Sequence, residues 1–328
     1  MSPRASAAAE KLLDECDDLE LPIRIETADE AGIHVRGANG EQISLALLNN
    51  RRSLIEQFVQ GLRFDFASLP LLAKGESKEV RGLSPRVSVA KLIPSVYSYT
   101  NNRYGFAPGT ERVRTHFCAE IFREMSRHPG KRHLSTAFIG LVEQADSPLL
   151  VERHVRASNL EVRVKRYHIG SPTHRYKFTE TFQTAHGGPP LARWTRFEKP
   201  VVCFDWRHPL HDLDGTRLAD EPLPDDYAAV WIDDLNAAKT LARDAFEWLE
   251  VRFDAKGLKL IDICFFIDRS GTSIFGEISP DCMRVRSRAS DDADALDKDE
   301  WRQGGDANSV LRRYASLYER IFDQRQDR

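Results

Sequence analysis

Leu258-Lys259-Leu260-Ile261-Asp262-Ile263-Cys264-Phe265-Phe266-Ile267 reads as a buried strand, a nearly continuous run of aliphatic and aromatic residues between Gly257 and the turn Asp268-Arg269-Ser270-Gly271. Beyond that turn comes Gly276-Glu277-Ile278-Ser279-Pro280-Asp281-Cys282-Met283-Arg284. A hairpin made mostly of apolar residues therefore carries Asp262, Glu277, Asp281 and Arg284 outside its turn. Charge on such a scaffold costs free energy unless a partner, a metal or a ligand offsets it. Asp262 needs hydrogen-bond donors or a cation. Lys165 and Arg284 are the candidates for that cation, and a purely structural ion pair is the alternative reading.

Working outward, Asp233 or Asp234 can cap a helix running to about Ala255. It would bury Leu235, Ala238, Leu241, Ala242, Ala245, Phe246, Leu249 and Phe253, with Gly257 as its stop. Residues 287–299 are acidic and read as a mobile segment, Asp297-Lys298-Asp299-Glu300-Trp301-Arg302 as a solvated helix start, and 307–322 as an amphipathic helix. Upstream, 110–127 has helical spacing, and strands are expected at 86–93, 136–142, 149–155 and 159–169. Residues 180–230, rich in Pro and Gly, read as long loops bordering a site. At the N-terminus, a fraying acidic helix (1–20), strands at 21–27, 32–36 and 42–48 and a helix at 53–64 make a small appended module.

Composition narrows the function. The chain has 328 residues, 41% of them hydrophobic and 30% charged, with net charge −3 and pI about 6.4. Without a broad basic field, nucleic acid is not the expected partner. Cys16, Cys118, Cys203, Cys264 and Cys282 form no CxxC pair, which fits free thiols in a reducing cytoplasm. Neither a signal-type apolar core nor a run of ~18 apolar residues occurs, so no membrane span is expected. His208, His211 and Asp212 are metal-ligand types without metal-site spacing.

Two further stretches carry chemistry. In Glu161-Val162-Arg163-Val164-Lys165-Arg166-Tyr167-His168-Ile169-Gly170-Ser171-Pro172-Thr173-His174-Arg175, strand alternation puts Arg163 and Lys165 on one face. The Gly170-Ser171 turn offers N–H groups and a hydroxyl. Together these can form a phosphate site, or merely a solvated basic face on an edge strand. Gly75-Glu76-Ser77-Lys78 is a glycine turn with a lysine, lacking the spacing of a Walker loop.

Taken in order over residues 70–325, these pieces resemble the SAICAR synthetase family of purine-pathway ligases. The GK(A/T)K-type turn reads Gly75-Glu76-Ser77-Lys78, and E-x-V-V-R-x-x-x-x-G-S reads Glu161 through Ser171. F-D-x-x-G-L-x-L-V-D-F-K-L-E-F reads Phe253 through Ile267. D-E-x-S-P-D-x-x-R reads Gly276 through Arg284, and D-K-D-x-[FY]-R reads Asp297 through Arg302.

The resemblance implies a two-lobed α+β fold related to kinases and ATP-grasp enzymes. Residues 1–67 would be an N-terminal extension, 68–157 a nucleotide-binding lobe and 158–328 a lobe holding the ribonucleotide substrate. It implies that ATP, with Mg²⁺, activates the carboxylate of an aminoimidazole ribonucleotide, which the amine of aspartate then attacks. Lys78 would touch ATP phosphates. Lys165, Ser171 and Arg284 would hold the 5′-phosphate, with Arg175 beside them. Asp262 would lie at the substrate, Glu277 and Asp281 would shape the site, and Arg302 would add positive charge. A small-molecule ribonucleotide is the expected partner, and a homodimer the expected assembly.

The sequence also departs from the family pattern. The family's metal-binding glutamate falls on Phe266 and its second metal-side aspartate on Gly276; its lysine in D-F-K-L-E is Cys264, and the first lysine of its glycine turn is Glu76. Phenylalanine cannot ligate Mg²⁺, which takes hard oxygen donors; Glu277, Asp281 and Asp268 are the possible substitutes. The departures point to a specialised relative of the kind found in nucleoside natural-product pathways. They leave three functions open: the ATP-dependent ligase, a nucleotide-modifying enzyme that rearranges, cyclises or cleaves its substrate without ATP, and a non-catalytic nucleotide-binding protein.

Overall fold

The computed structural model describes residues 3–49, 51–98, 103–127, 134–170, 190–208, 212–215, 218, 220–288 and 295–322. The N-terminal module is α1 (Pro3–Asp18), a three-stranded antiparallel sheet of β1 (Ile23–Ala28), β2 (Ile33–Gly37) and β3 (Gln42–Leu45), and α2 (Leu54–Gly61). The first helix is not the fraying segment expected from its charge. Ala5, Ala9, Leu12 and Cys16 recur at i, i+3 and i+4 spacing and are fully or almost fully buried. Ser53 caps α2 by accepting from the Glu56 N–H at 3.3 Å.

Next come β4 (Leu71–Lys74), β5 (Lys78–Ser84), β6 (Val87–Leu92), the hairpin β7 (Ser95–Ser98) and β8 (Arg103–Phe106), and helix α3 (Thr110–Met125). Strands β9 (Phe138–Val142) and β10 (Leu149–Arg153) complete an antiparallel sheet in the order β4-β5-β6-β10-β9. Alternation along its strands sorts the core. Val87 and Val89 of β6, and Leu149 and Val151 of β10, face the N-terminal module, whereas Ala90 and Leu150 face the side on which α3 packs. A buried ion pair, Arg123 Nε to Glu56 Oε1 at 2.7 Å, ties α2 to α3.

The second sheet runs β13-β12-β11-β14-β15. It is built from β11 (Ala157–Tyr167), β12 (Arg196–Trp206), β13 (Glu221–Leu223), β14 (Leu258–Asp268) and β15 (Ile274–Phe275), and β16 (Met283–Ser287) also pairs with β14. Helix α4 (Asp225–Ala228) precedes α5 (Leu235–Ala255), whose first turn is capped by Asp234 Oδ1 accepting from Ala237 N–H at 2.8 Å. Its buried face, from Ala238 to Phe253, packs against β14. The short α6 (Asp299–Arg302) and α7 (Ala307–Phe322) close the chain, with Phe322 edge-on to Phe117 of α3 at 5.2 Å.

Two local expectations are corrected. Residues 196–206, read as loop, form an eleven-residue strand. Pro200 disguised it, yet the proline sits at the register shift between the Lys165–Val201 and Tyr167–Arg196 pairings, where no ladder hydrogen bond is demanded of it. Asp297, Asp299 and Trp301, read as solvated, are buried.

Candidate active site between the two sheets

β11, β14 and β16 lie side by side, and their register sets three chemically matched residues in one row. Lys165 pairs with Asp262, and Asp262 pairs with Arg284. Two residues further along each of β11 and β14, Arg163 stands opposite Cys264, and four residues along, Glu161 stands opposite Phe266. This polar face forms one wall of a cleft of about 1330 Å³. The β4–β5 turn, Gly75–Ser77, and the aromatic Tyr97, Tyr104 and Phe106 of the β7–β8 hairpin form the other. The turn is pinned: Ser95 Oγ donates to Glu76 O at 2.7 Å, and Ile93 N–H donates to Ser77 O at 2.8 Å.

Asp262 is at the centre. Its Oδ2 accepts from Lys165 Nζ and, at 2.6 Å, from Arg284 Nη1. Burial pushes this carboxyl upward, but Arg284 and Lys165 override it and hold the group well below the usual carboxylate range. Asp262 is therefore a fixed anion, able to accept hydrogen bonds and unable to deliver a proton near neutrality. Lys165 is 2% exposed and reaches the cleft only through Asp262. Arg284 also faces Asp299, 3.6 Å from Nε. Gly170, three residues beyond the end of β11, lies beside it: a Cβ there would lie 2.6 Å from Arg284 Nη1, and φ is +78°. Only glycine lets this backbone turn press against the guanidinium. Ser171 and Arg175 lie outside the described residues.

Glu277 and Asp281 are each claimed by a cation. Glu277 receives both Arg114 Nε (2.7 Å) and Nη2 (2.8 Å), together with Ser279 Oγ. Asp281 receives Lys298 Nζ at 3.1 Å and Tyr314 Oη at 2.7 Å. Burial raises its pKa, but Lys298 and Arg114 outweigh burial and bring it down to about 2. Arg302 lines the cleft but is held by Asp299, with Asp297 at 3.6 Å. Burial lifts Asp297 to about 6, with the Asp299 charge adding to the rise. Asp299 goes the other way: Arg302, Arg284 and Arg286 overcome its burial and bring it to about 2.

Arg114, the anchor of Glu277, escaped the sequence reading. Its only signal was an arginine in the middle of a helical apolar face, beside Phe117.

These shifts set an acid limit. Asp262, Asp281 and Asp299 have depressed folded-state pKa values, so their stabilisation is complete above about pH 4 and is lost as pH falls through the folded values, about 2 for Asp281 and Asp299 and well below the usual carboxylate range for Asp262. Asp297 has the opposite sign: its contribution is present below about pH 4 and is lost as pH rises through about 6. Thermal unfolding across pH should show a steep fall in Tm between about pH 4 and 2, larger than any change between about pH 4 and 6. A flat acid limb would contradict the ion-pair assignments.

At the other end of the cleft, Lys78 opens β5. Its Nζ lies 5.4 Å from the centroid of the Phe266 ring and 2.9 Å from where a Cβ on Gly276 would stand. The Gly276 N–H donates to Glu152 Oε1 at 2.8 Å. Burial raises the Glu152 pKa, and the charge of Lys78 opposes the rise.

A cleft walled by a glycine turn on one sheet and by a Lys–Asp–Arg row on the other is what the ordered sequence motifs imply, and comparison with known proteins agrees. The SAICAR synthetase family model matches residues 100–318. The chain belongs to the SAICAR synthetase family. A SAICAR synthetase (type 2) solved in complex with ADP superposes with a TM-score of 0.61 at 22% identity, covering 77% of this chain and 97% of that one. The Pyrococcus horikoshii SAICAR synthetase (type 1) gives 0.59 at 21%, covering 75% and 97%. The Saccharomyces cerevisiae SAICAR synthase complexed with SAICAR gives 0.57 at 16%, covering 79% and 97%. These likenesses establish the α+β fold. The bifunctional cordycepin biosynthesis cluster protein 3 of Cordyceps militaris is 22% identical over 291 residues, 75% of this chain and 32% of that protein. The chain thus spans about a third of that relative's length.

The Mg²⁺ that the family implies does not fit the donors present. Phe266 and Gly276 offer no side-chain oxygen where the family pattern has its metal carboxylates. Glu277, Asp281 and Asp262 are already engaged by Arg114, Lys298, Lys165 and Arg284. Asp268, the remaining possible substitute, is spent on its own turn, accepting from Thr272 and Ser273 N–H. No group of three or more acidic, histidine or cysteine side chains suited to a metal ion occurs among the described residues. His208 borders the cleft, whereas His211 lies outside the described residues. No helix among the described residues is long and apolar enough to cross a membrane.

Proposed function

We propose that this chain is a SAICAR synthetase-type enzyme acting on an aminoimidazole or purine-derived ribonucleotide. In this reading it joins a carboxylate of that nucleotide to an amine, such as that of aspartate, at the expense of ATP. The observation that carries it is the Lys165–Asp262–Arg284 row with the Gly170 backbone against Arg284. A guanidinium beside a glycine turn is a donor arrangement suited to a phosphate monoester, here the 5′-phosphate. Asp262, a fixed anion beside it, would accept from an N–H of the heterocycle. Phosphoryl transfer from ATP to the nucleotide carboxylate would give an acyl phosphate and ADP. The amine would then attack the acyl carbon, phosphate would leave, and the amine proton would pass to solvent. The chain's part is alignment and charge. Incubation with an aminoimidazole carboxylate ribonucleotide, aspartate, ATP and Mg²⁺ should release ADP in step with amide.

A second reading is favoured by Phe266 and Gly276: an enzyme of nucleoside natural-product biosynthesis that rearranges, cyclises or cleaves its nucleotide without ATP. The cordycepin-cluster relative supports that pathway class. Turnover of the ribonucleotide with no ADP formed would select this reading over the first. The setting we propose for either reading is the cytoplasm.

A further inference from the structure

We infer that Lys78 takes the place of the divalent cation, so that this end of the cleft binds the phosphates of a nucleoside diphosphate or triphosphate without a metal ion. The inference rests on the proposal that the cleft takes nucleotides, and goes beyond it. Both residues at the family's metal-side positions border the same atom: Lys78 Nζ lies over the Phe266 ring and against Gly276. The exchange is electrostatically coherent. Two carboxylates facing a polyphosphate repel it and need a dication between them. With both replaced by uncharged residues, that repulsion is gone, and a single ammonium is a sufficient point-charge partner.

The surroundings hold this arrangement. Phe266 supplies a ring face that attracts a cation, and its partner across the strand pair is Phe275, with centroids 5.6 Å apart. Glu152, buried behind Gly276, accepts from the Gly276 N–H at 2.8 Å and so fixes the backbone beside Lys78. Gly276 has φ +85°, and a Cβ there would stand 2.9 Å from Lys78 Nζ, so the glycine leaves the ammonium its place. Lys78 follows a turn fixed from β7 and from Ile93, so its Cα is held in place. Of the carboxylates nearby, Glu277 is tied to Arg114, Asp281 to Lys298 and Glu161 to Arg207, and Glu152 accepts from the Gly276 N–H.

Calorimetry on the full chain tests this with ADP and AMP, each in excess EDTA and in excess Mg²⁺. ADP should bind with the same Kd within about twofold in the two buffers. Lys78→Met should weaken ADP by about tenfold or more in both, the scale of a lost charge-assisted hydrogen bond, and leave AMP unchanged. Lys78→Arg, which keeps the charge, should retain ADP binding and guards against a folding defect. ADP binding that requires Mg²⁺, or AMP binding with no ADP binding in either buffer, overturns the inference and leaves the ribonucleotide proposal standing. Failure of every nucleotide tested, with aminoimidazole carboxylate ribonucleotide included, overturns both.

Discussion

Arg114→Ala is expected to cost the fold about 3–5 kcal/mol, the range for breaking a buried ion pair from one side. The side chain is fully buried and gives both Nε and Nη2 to Glu277, while Nη1 donates to the carbonyls of Ile93 (2.8 Å) and Ser95 (3.4 Å). Burial lowers its pKa, but Glu277 and Asp281 more than offset this, and it stays charged. Three elements meet on this one group: α3, the strand end leading to β7, and the loop after β15. Alanine would leave Glu277 buried with Ser279 as its remaining side-chain donor among the described residues, and would strip two carbonyls of the Arg114 donor. Urea unfolding measures the loss. Arg114→Met with Glu277→Gln should recover part of it, because neither half is then an unpaired charge. A loss below about 1 kcal/mol would show that the pair is not buried as described.

Arg284 carries the second large effect, and it should appear in two observables. Arg284→Gln removes one of the two cations on Asp262 and the cation nearest the Gly170 turn. Ribonucleotide affinity should fall by about 1.5–3 kcal/mol, roughly 10- to 150-fold, if the guanidinium holds the 5′-phosphate. Stability should fall too, but by less than for Arg114, because Lys165 remains on Asp262. Arg284→Lys separates the two: the ammonium preserves charge for Asp262 and Asp299 but lacks the planar fork for a phosphate. A folded Arg284→Lys variant with unchanged nucleotide affinity would remove Arg284 from the site.

The hairpin and its charges were legible from sequence because apolar runs, turn residues and the Asp234 cap are local signals. Strand β14 came out as read, and so did α5. Partners that arrive from far along the chain were not legible. Arg114 and Glu277 are 163 residues apart, and nothing local marks either as the other's mate. Asp297 and Asp299 looked solvated because an acidic stretch alone does not reveal that Arg286 on β16 meets both. The Lys165–Asp262–Arg284 row was half legible: alternation gave the faces, and only register supplied the neighbours. At Phe266 and Gly276, sequence showed the loss of carboxylates, and the fold adds that Lys78 lies between the two positions.

If the Lys165–Asp262–Arg284 row seats a ribonucleotide, a crystal structure of the protein with an aminoimidazole or purine ribonucleotide will show it. The monophosphate should lie within hydrogen-bonding distance of Arg284 beside Gly170, with the heterocycle alongside Asp262. A nucleotide lodged anywhere else, with Arg284 still bound only to Asp262 and Asp299, would contradict that placement.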